Sequence, residues 1–106
     1  MTGYKKETEA GKSAYEVKMT INGRSKDVTI DPSGNLLEIE EQVTFESLPA
    51  AVRDGLKKKA GHGKITKVES ITKHGKVVAY EAKVITAGKK SEVQVGPDGK
   101  PLAHEE

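Results

Sequence analysis

The chain has no cysteine and no tryptophan, which excludes disulfide staples and thiolate chemistry while leaving the redox compartment open. Its only aromatic residues are Tyr4, Tyr15, Tyr80 and Phe45, too few for a base-stacking platform. Charge of one sign is lacking as well: 18 Lys and Arg stand against 16 Asp and Glu, for a formal +2, and the signs are interleaved. A nucleic-acid surface concentrates its cations into a stripe, so no nucleic-acid partner is expected. No apolar run approaches the roughly 20 residues of a membrane-spanning helix. The polar start, Met1 to Lys12, lacks the basic-then-apolar order of a signal peptide, which fits either a cytosolic chain or a mature or trimmed one.

What the sequence does have is a repeat. Ala14 to Glu38 aligns without a gap on Ala79 to Ala103: Ala14-Tyr15-Glu16 meets Ala79-Tyr80-Glu81, Lys18 meets Lys83, Gly23 meets Gly88, Val28 meets Val93, Pro32 meets Pro97 and Gly34 meets Gly99. The matched residues are turn formers and alternating apolar positions rather than nucleophiles or ligands. With 106 residues and 34% hydrophobic content, the chain can build one modest core, so the duplication lies within a single domain.

In the first copy, Tyr15, Val17, Met19 and Ile21 alternate with Glu16, Lys18 and Thr20, the period-2 signature of a half-buried strand. Asn22-Gly23 is a two-residue hairpin turn, Val28 and Ile30 lie on the return strand, and Asp31-Pro32-Ser33-Gly34 turns the chain toward Leu37, Ile39 and Val43. The second copy repeats this grammar with Tyr80, Ala82 and Val84, then Ala87-Gly88, Val93 and Val95, and Gly96-Pro97-Asp98-Gly99. Upstream, Gly75-Lys76 corresponds to Gly11-Lys12 once one residue is inserted before Tyr80, which makes Thr2 to Glu9 and Ile65 to Lys73 equivalent strands. Broken alternation at Ile65, Val68 and Ile71 predicts a bulge.

Between the copies, Leu48, Ala51, Val52, Leu56 and Ala60 form an apolar helical stripe. Ser47 marks its start and Gly61 its end, with Lys57-Lys58-Lys59 in the last turn, where cations complement the helix dipole. Gly55 inside the helix fits either a close helix–sheet approach or an unoptimised surface position. The expected architecture is α+β: two tandem β-meander repeats forming one antiparallel sheet with a single helix packed on one face. In residues, these are a first β-repeat 1–44, a helix 47–60, a second β-repeat 64–103 and a tail 104–106. The opposite face, with Glu16, Lys18, Glu38, Glu40, Glu81 and Lys83, should be wet. The first copy has no helix of its own, so its apolar face should be under-covered, and such surface usually marks an interface.

Ala14-Tyr15-Glu16-Val17-Lys18, Asp31-Pro32-Ser33-Gly34-Asn35-Leu36-Leu37-Glu38, Leu48-Pro49-Ala50-Ala51-Val52, Gly63-Lys64-Ile65-Thr66-Lys67-Val68-Glu69 and Tyr80-Glu81-Ala82-Lys83-Val84 together resemble the PepSY-like, β-lactamase-inhibitor-like domains of bacterial envelopes. Each motif is generic and their succession is the specific element, covering about Tyr15 to Leu102. The resemblance implies helix-plus-meander repeats, export to the periplasm or cell surface, and a noncatalytic binding or inhibitory role. It carries over no functional residue, and the chain departs from the family in lacking a leading helix and a signal peptide.

Candidate chemistry is sparse. His62, His74 and His104 lie in a glycine loop, a hairpin turn and a charged tail without ligand-pair spacing, so no metal is expected. Glu38, Glu40 and Glu41 fall on a solvated face or its neighbour rather than in a hydrolase cleft. Gly61-His62-Gly63-Lys64 ends the helix and is too short for a P-loop. Lys57, Lys58 and Lys59, with Arg53, Lys64 and Lys67 nearby, form the densest basic patch and a candidate partner contact, as do Tyr15 and Tyr80. Gln94-Val95-Gly96 is an incomplete match to the hairpin by which cystatins wedge into cysteine proteases. The expected function is a noncatalytic extracytoplasmic protein-binding module without cofactor. The alternatives are a self-associating homodimer that uses the under-covered apolar face, and a small-ligand domain with a pocket between helix and sheet.

Overall fold

The computed structural model describes residues 3–9 and 12–106, with side chains from Ala14 onward. Strands β1 (Gly3–Glu9), β2 (Lys12–Ile21), β3 (Arg24–Ile30) and β4 (Leu36–Val43) precede a single 3-10 turn, Phe45–Ser47, and helix α1 (Ala50–Ala60). Strands β5 (Lys64–Lys73), β6 (Lys76–Thr86) and β7 (Lys89–Val95) follow. All of them join one sheet in sequence order, each antiparallel to the next. The α+β expectation of one antiparallel sheet with a single helix is met. Thr2, the first residue of the strand expected over Thr2 to Glu9, lies outside the described residues.

The turns follow from residue chemistry. Asn22-Gly23 and Ala87-Gly88 both take positive φ, at 52° and 79° and at 51° and 80°. That conformation matches the twist of the flanking strands in a two-residue hairpin. The two longer turns share one bonding scheme. The Asp31 amide donates to the Asn35 carbonyl and the Gly34 amide to the Asp31 carbonyl, while the Gly96 amide donates to Lys100 and the Gly99 amide to Gly96.

The bulge expected in β5 is present. Register shifts between Ile65 and Lys67, so Ile65 and Val68 both face the helix while Ile71 faces away. A second shift between Ile71 and Thr72 skips Val78 on β6.

Helix α1 packs against β5, β6 and β7. Val52 and Leu56 are fully buried and join Leu48, Val68, Ala82, Val84 and Val95 in the core. The helix begins later than the sequence indicates. Ser47 does not cap it; its Oγ donates back to the Thr44 carbonyl at 2.7 Å, and Pro49 occupies the N-cap without a side-chain bond. Proline lacks an amide proton and its fixed φ suits the helix entrance. At the other end Gly61 takes φ 58° and its amide donates to the Lys57 carbonyl, as expected of a left-handed terminator. Ala51 is exposed rather than part of the buried stripe.

The other half of the helix-bearing face, on β2 to β4, lies beyond α1. Val17, Val28, Ile30 and Ile39 are half-buried there, and Ile21 and Leu36 are each 49% exposed.

Candidate functional site

The face opposite the helix gathers the charged residues. Alternation along the strands and the cross-strand registers place Thr20, Ser25, Gln42, Glu69, Glu81 and Gln94 in one row, with Lys18, Asp27, Glu40 and Ile71 in the next. A flat sheet would spread β2 to β7 over roughly 24 Å. Instead Lys18, Asp27, Glu40, Glu69, Glu81 and Glu92, drawn from all of these strands, line one depression of about 400 Å³. The sheet therefore coils with this face inward.

The expectation of a wet face is met at Lys18 and Lys83, which are exposed, but not across the whole face. Glu69 is 5% exposed and Gln94 4%, and Ile71 and Ala79 are buried on the same side. Coiling brings neighbouring rows together, and the chain end covers part of the face: the Glu106 amide donates to Gln94 Oε1 at 2.8 Å. Gln94 Nε2 donates to Glu81 Oε2 at 3.0 Å, and Lys73 Nζ lies 3.2 Å from Glu106 Oε1.

Charge is neutralised unevenly. Lys18 Nζ lies 2.9 Å from Glu16 Oε1 and 3.1 Å from Asp27 Oδ2, and the hydrogen bonds to Glu16 and Asp27 raise the Lys18 pKa. Lys73 reaches Glu38 at 3.6 Å. Among the described residues Glu40 has no such cation. Its cross-strand neighbours are Asp27, already engaged by Lys18, and the apolar Ile71. Desolvation, a hydrogen bond with Glu38 and repulsion from Glu38, Glu69 and Glu81 push its carboxyl up to about 8. Glu81 is pushed up to about 6, first by desolvation and then by Glu92 and Glu69, although Gln94 works against the rise. Glu69 stands directly opposite Glu81, an unfavourable like-charge pair. Among the described residues it has no hydrogen-bond or ion-pair partner. Ser25 Oγ, on the same row, is buried without a partner.

A pH dependence follows. Folding raises the Glu40 pKa from 4.5 to about 8, so the folded chain holds a proton that the unfolded chain releases. The stability linked to this group is full below the unfolded value and is lost as pH rises through the folded one. The melting temperature should therefore fall between about pH 4.5 and pH 8 and level off by about pH 9. Glu40→Gln should remove most of that fall, gaining about 1 kcal/mol at pH 9 once screening at a half-exposed group is allowed for. Thermal denaturation of both proteins across that range checks it.

The residues singled out from sequence do not converge. Lys57 Nζ sits 5.5 Å from the centroid of the Phe45 ring. Arg53 Nη1 donates to the Glu46 carbonyl at 3.4 Å. Lys58 and Lys59 line a separate depression of about 480 Å³ with Asp54 and Lys100. Tyr15 and Tyr80 share the helix-bearing face but lie on β2 and β6, roughly 19 Å apart by strand spacing. The basic patch and the tyrosines thus belong to different parts of the surface. Gln94, Val95 and Gly96 are all buried, so that tripeptide is not presented as a wedge. His62, His74 and His104 are exposed and separate. Among the described residues no group of three or more His, Asp or Glu is placed to hold a metal ion, and no helix is long and apolar enough to cross a membrane.

Sequence reasoning named Glu40 and Glu81 but not Glu69, whose place opposite Glu81 depends on the β5 bulge and the β5–β6 register.

No protein-family model and no curated protein matches the chain. Solved structures share its fold. A DUF2874 family protein from Bacteroides ovatus superposes with a TM-score of 0.72 at 17% identity, over 95% of this chain and 73% of that one. A BLIP-like protein from Bacteroides fragilis gives 0.70 at 21% identity, over 98% of this chain and 74% of that one. The likeness is one of fold, and the chain has a BLIP-like fold.

Proposed function

We propose that this chain is a noncatalytic protein-binding module, an inhibitor-like ligand of a secreted or envelope enzyme, acting in the periplasm or outside the cell. The observation that carries the reading is the concave face. It is an open depression across β2 to β7 in which carboxylates outnumber the cations that could satisfy them. The BLIP-like character of one structural neighbour supports the same assignment. A partner surface that supplies the missing groups would gain more there than on an ordinary solvated sheet. The interface between helix and sheet is occupied by Val52, Leu56, Val68, Ala82, Val84 and Val95, which favours a surface contact over a ligand held inside the core.

Within this reading the sheet is two tandem PepSY-like copies. Tyr15 pairs with Ile30 and Tyr80 with Val95, Val17 with Val28 and Ala82 with Val93, and Thr20 with Ser25 and Ile85 with Lys90. These are corresponding pairs in the sequence alignment. The shared bonding of the Asp31 and Gly96 turns supports the same correspondence. Lys57, Lys58, Lys59 and Arg53 are secondary contacts for the partner.

Affinity capture from bacterial envelope fractions, followed by inhibition assays of any retained enzyme and of β-lactamases and proteases, tests the proposal. A stoichiometric complex with dose-dependent inhibition is expected. Retention of no protein from any fraction would sink it.

A second reading rests on Val17, Val28, Ile30 and Ile39, which α1 does not cover, and on exposed Ile21 and Leu36. This apolar half, which includes Tyr15 on β2, would be a homodimer interface. Light scattering over a wide concentration range decides it, since a strict monomer excludes self-association.

A further inference from the structure

We propose that the concave face holds a specific cradle for an organic cation, the guanidinium or ammonium of an arginine or lysine on a partner protein, formed by Glu69, Glu81 and Glu40. The proposal rests on the protein-binding reading above and names the chemistry of the contact.

Three observations carry it. The first is Glu69, which is 5% exposed, lines the depression and has no hydrogen-bond or ion-pair partner among the described residues. Its carboxylate oxygens keep contact with solvent, so they open into the depression, where a cation or a set of donors can reach them. The second is the pairing around it. Glu69 faces Glu81 across the strands, whereas the corresponding position on β1, facing Glu16, is Lys5. The first half of the sheet thus sets base against acid, and the second half sets acid against acid at the same place in the register. A merely structural role would favour the neutral arrangement. The third is the neighbourhood: Ser25 Oγ is buried without a partner on the same row, and Gln94 holds the Glu81 carboxylate from the far side.

The nearby cations do not fill the cradle. Lys18 is held by Glu16 and Asp27. Lys67 and Lys83 stand opposite each other across β5 and β6, and among the described residues neither makes an ion pair with the three carboxylates. A planar guanidinium with its fork of donors suits two carboxylates side by side, and an ammonium suits them as a point charge. The resulting charge complementarity commits the site to a basic loop of a partner rather than to an apolar one.

The test uses the full chain, with side-chain carboxyl carbons followed by NMR during titration with the peptide acetyl-Gly-Arg-Gly-amide. Parallel arms use spermidine, acetyl-Gly-Glu-Gly-amide and sodium chloride at matched ionic strength. Saturable shifts at Glu40, Glu69 and Glu81 with the arginine peptide, absent with the glutamate peptide and with salt, are expected. Glu69→Lys supplies the cation from within, at the register position that is Lys5 on β1. It should weaken peptide binding at least tenfold while melting no lower than the natural chain, and Glu69→Gln gives a second reading should the lysine variant fail to fold. Equal shifts in the salt arm, no shifts with the peptide, or undiminished binding by the Glu69 variants would each overturn the cradle. Tighter binding of spermidine than of the peptide would overturn its assignment to a protein side chain. Capture of a partner by the natural chain alongside a failed peptide titration would remove the cradle and leave the protein-binding reading standing.

Discussion

Replacing Gly55 with alanine is expected to lower stability by about 2 kcal/mol, and the melting temperature by on the order of 10 °C. In an ordinary exposed helix interior the same change would stabilise by about 1 kcal/mol, because glycine carries the greater backbone entropy. The sign reverses here because α1 touches the turn that follows β7. A Cβ on Gly55 would collide with the backbone carbonyl of Gly99, a group that cannot swing aside as a flexible side chain would. The contact is reciprocal: Gly99, at φ 81°, has the Ala51 carbonyl where its own Cβ would stand. Gly34, at the corresponding position of the first half, has nothing within 4 Å of the equivalent point, so the steric part of the penalty should vanish in Gly34→Ala and leave only the cost of its positive φ. Thermal melts of the two single variants distinguish helix contact from turn strain.

Leu56→Ala should have the larger effect, about 3 kcal/mol and on the order of 15 °C. Leu56 is fully buried, at 0% exposure, and packs with Val52, Val68, Ala82, Val84 and Val95. The loss combines the transfer of its methyl groups with the cavity left between helix and sheet. Because α1 packs mainly on β5 to β7, the damage should concentrate there, and amide exchange should accelerate on those strands before it does on β3. Leu36→Ala is the control. At 49% exposure on the uncovered half it should cost less than about 1 kcal/mol. Equal costs for the two leucines would mean that the helix does not organise the core.

The pattern of these effects shows what was legible in the sequence. Strands, hairpins and the helix stripe are local matters of period and turn chemistry, so Tyr15 to Ile21, Asn22-Gly23, Ala87-Gly88 and Gly61 could be read directly. The β5 bulge was legible too, because Ile65 and Val68 cannot share one face without it. The start of the helix was misread because Ser47 is a good N-cap by composition, whereas Pro49 takes the position and the Ser47 hydroxyl turns back to Thr44. The two interpretations of Gly55 could not be separated without knowing what lies across from it.

The concave face was the least legible feature. Alternation correctly placed Glu40 and Glu81 away from the helix, but their exposure depends on sheet coiling, which no single strand encodes. Whether a carboxylate has a cation depends in turn on register. Glu40 falls between Asp27 and Ile71, and Glu69 falls opposite Glu81, so two acids that look like ordinary surface residues along the chain become crowded neighbours across it. The basic run Lys57-Lys58-Lys59 drew attention for the opposite reason: it is contiguous in sequence, yet Lys57 lies over Phe45 while Lys58 and Lys59 face the Gly99 turn.

The most direct measurement is a paired capture experiment, in which the natural chain and its Glu69→Lys variant are immobilised at equal density and exposed to the same envelope extract, with retained proteins quantified. Binding through the concave carboxylates predicts at least one protein held by the natural chain and lost by at least tenfold on the variant, with both chains folded by circular dichroism. Equal retention by the two would contradict that account and direct attention to the uncovered apolar half of the opposite face.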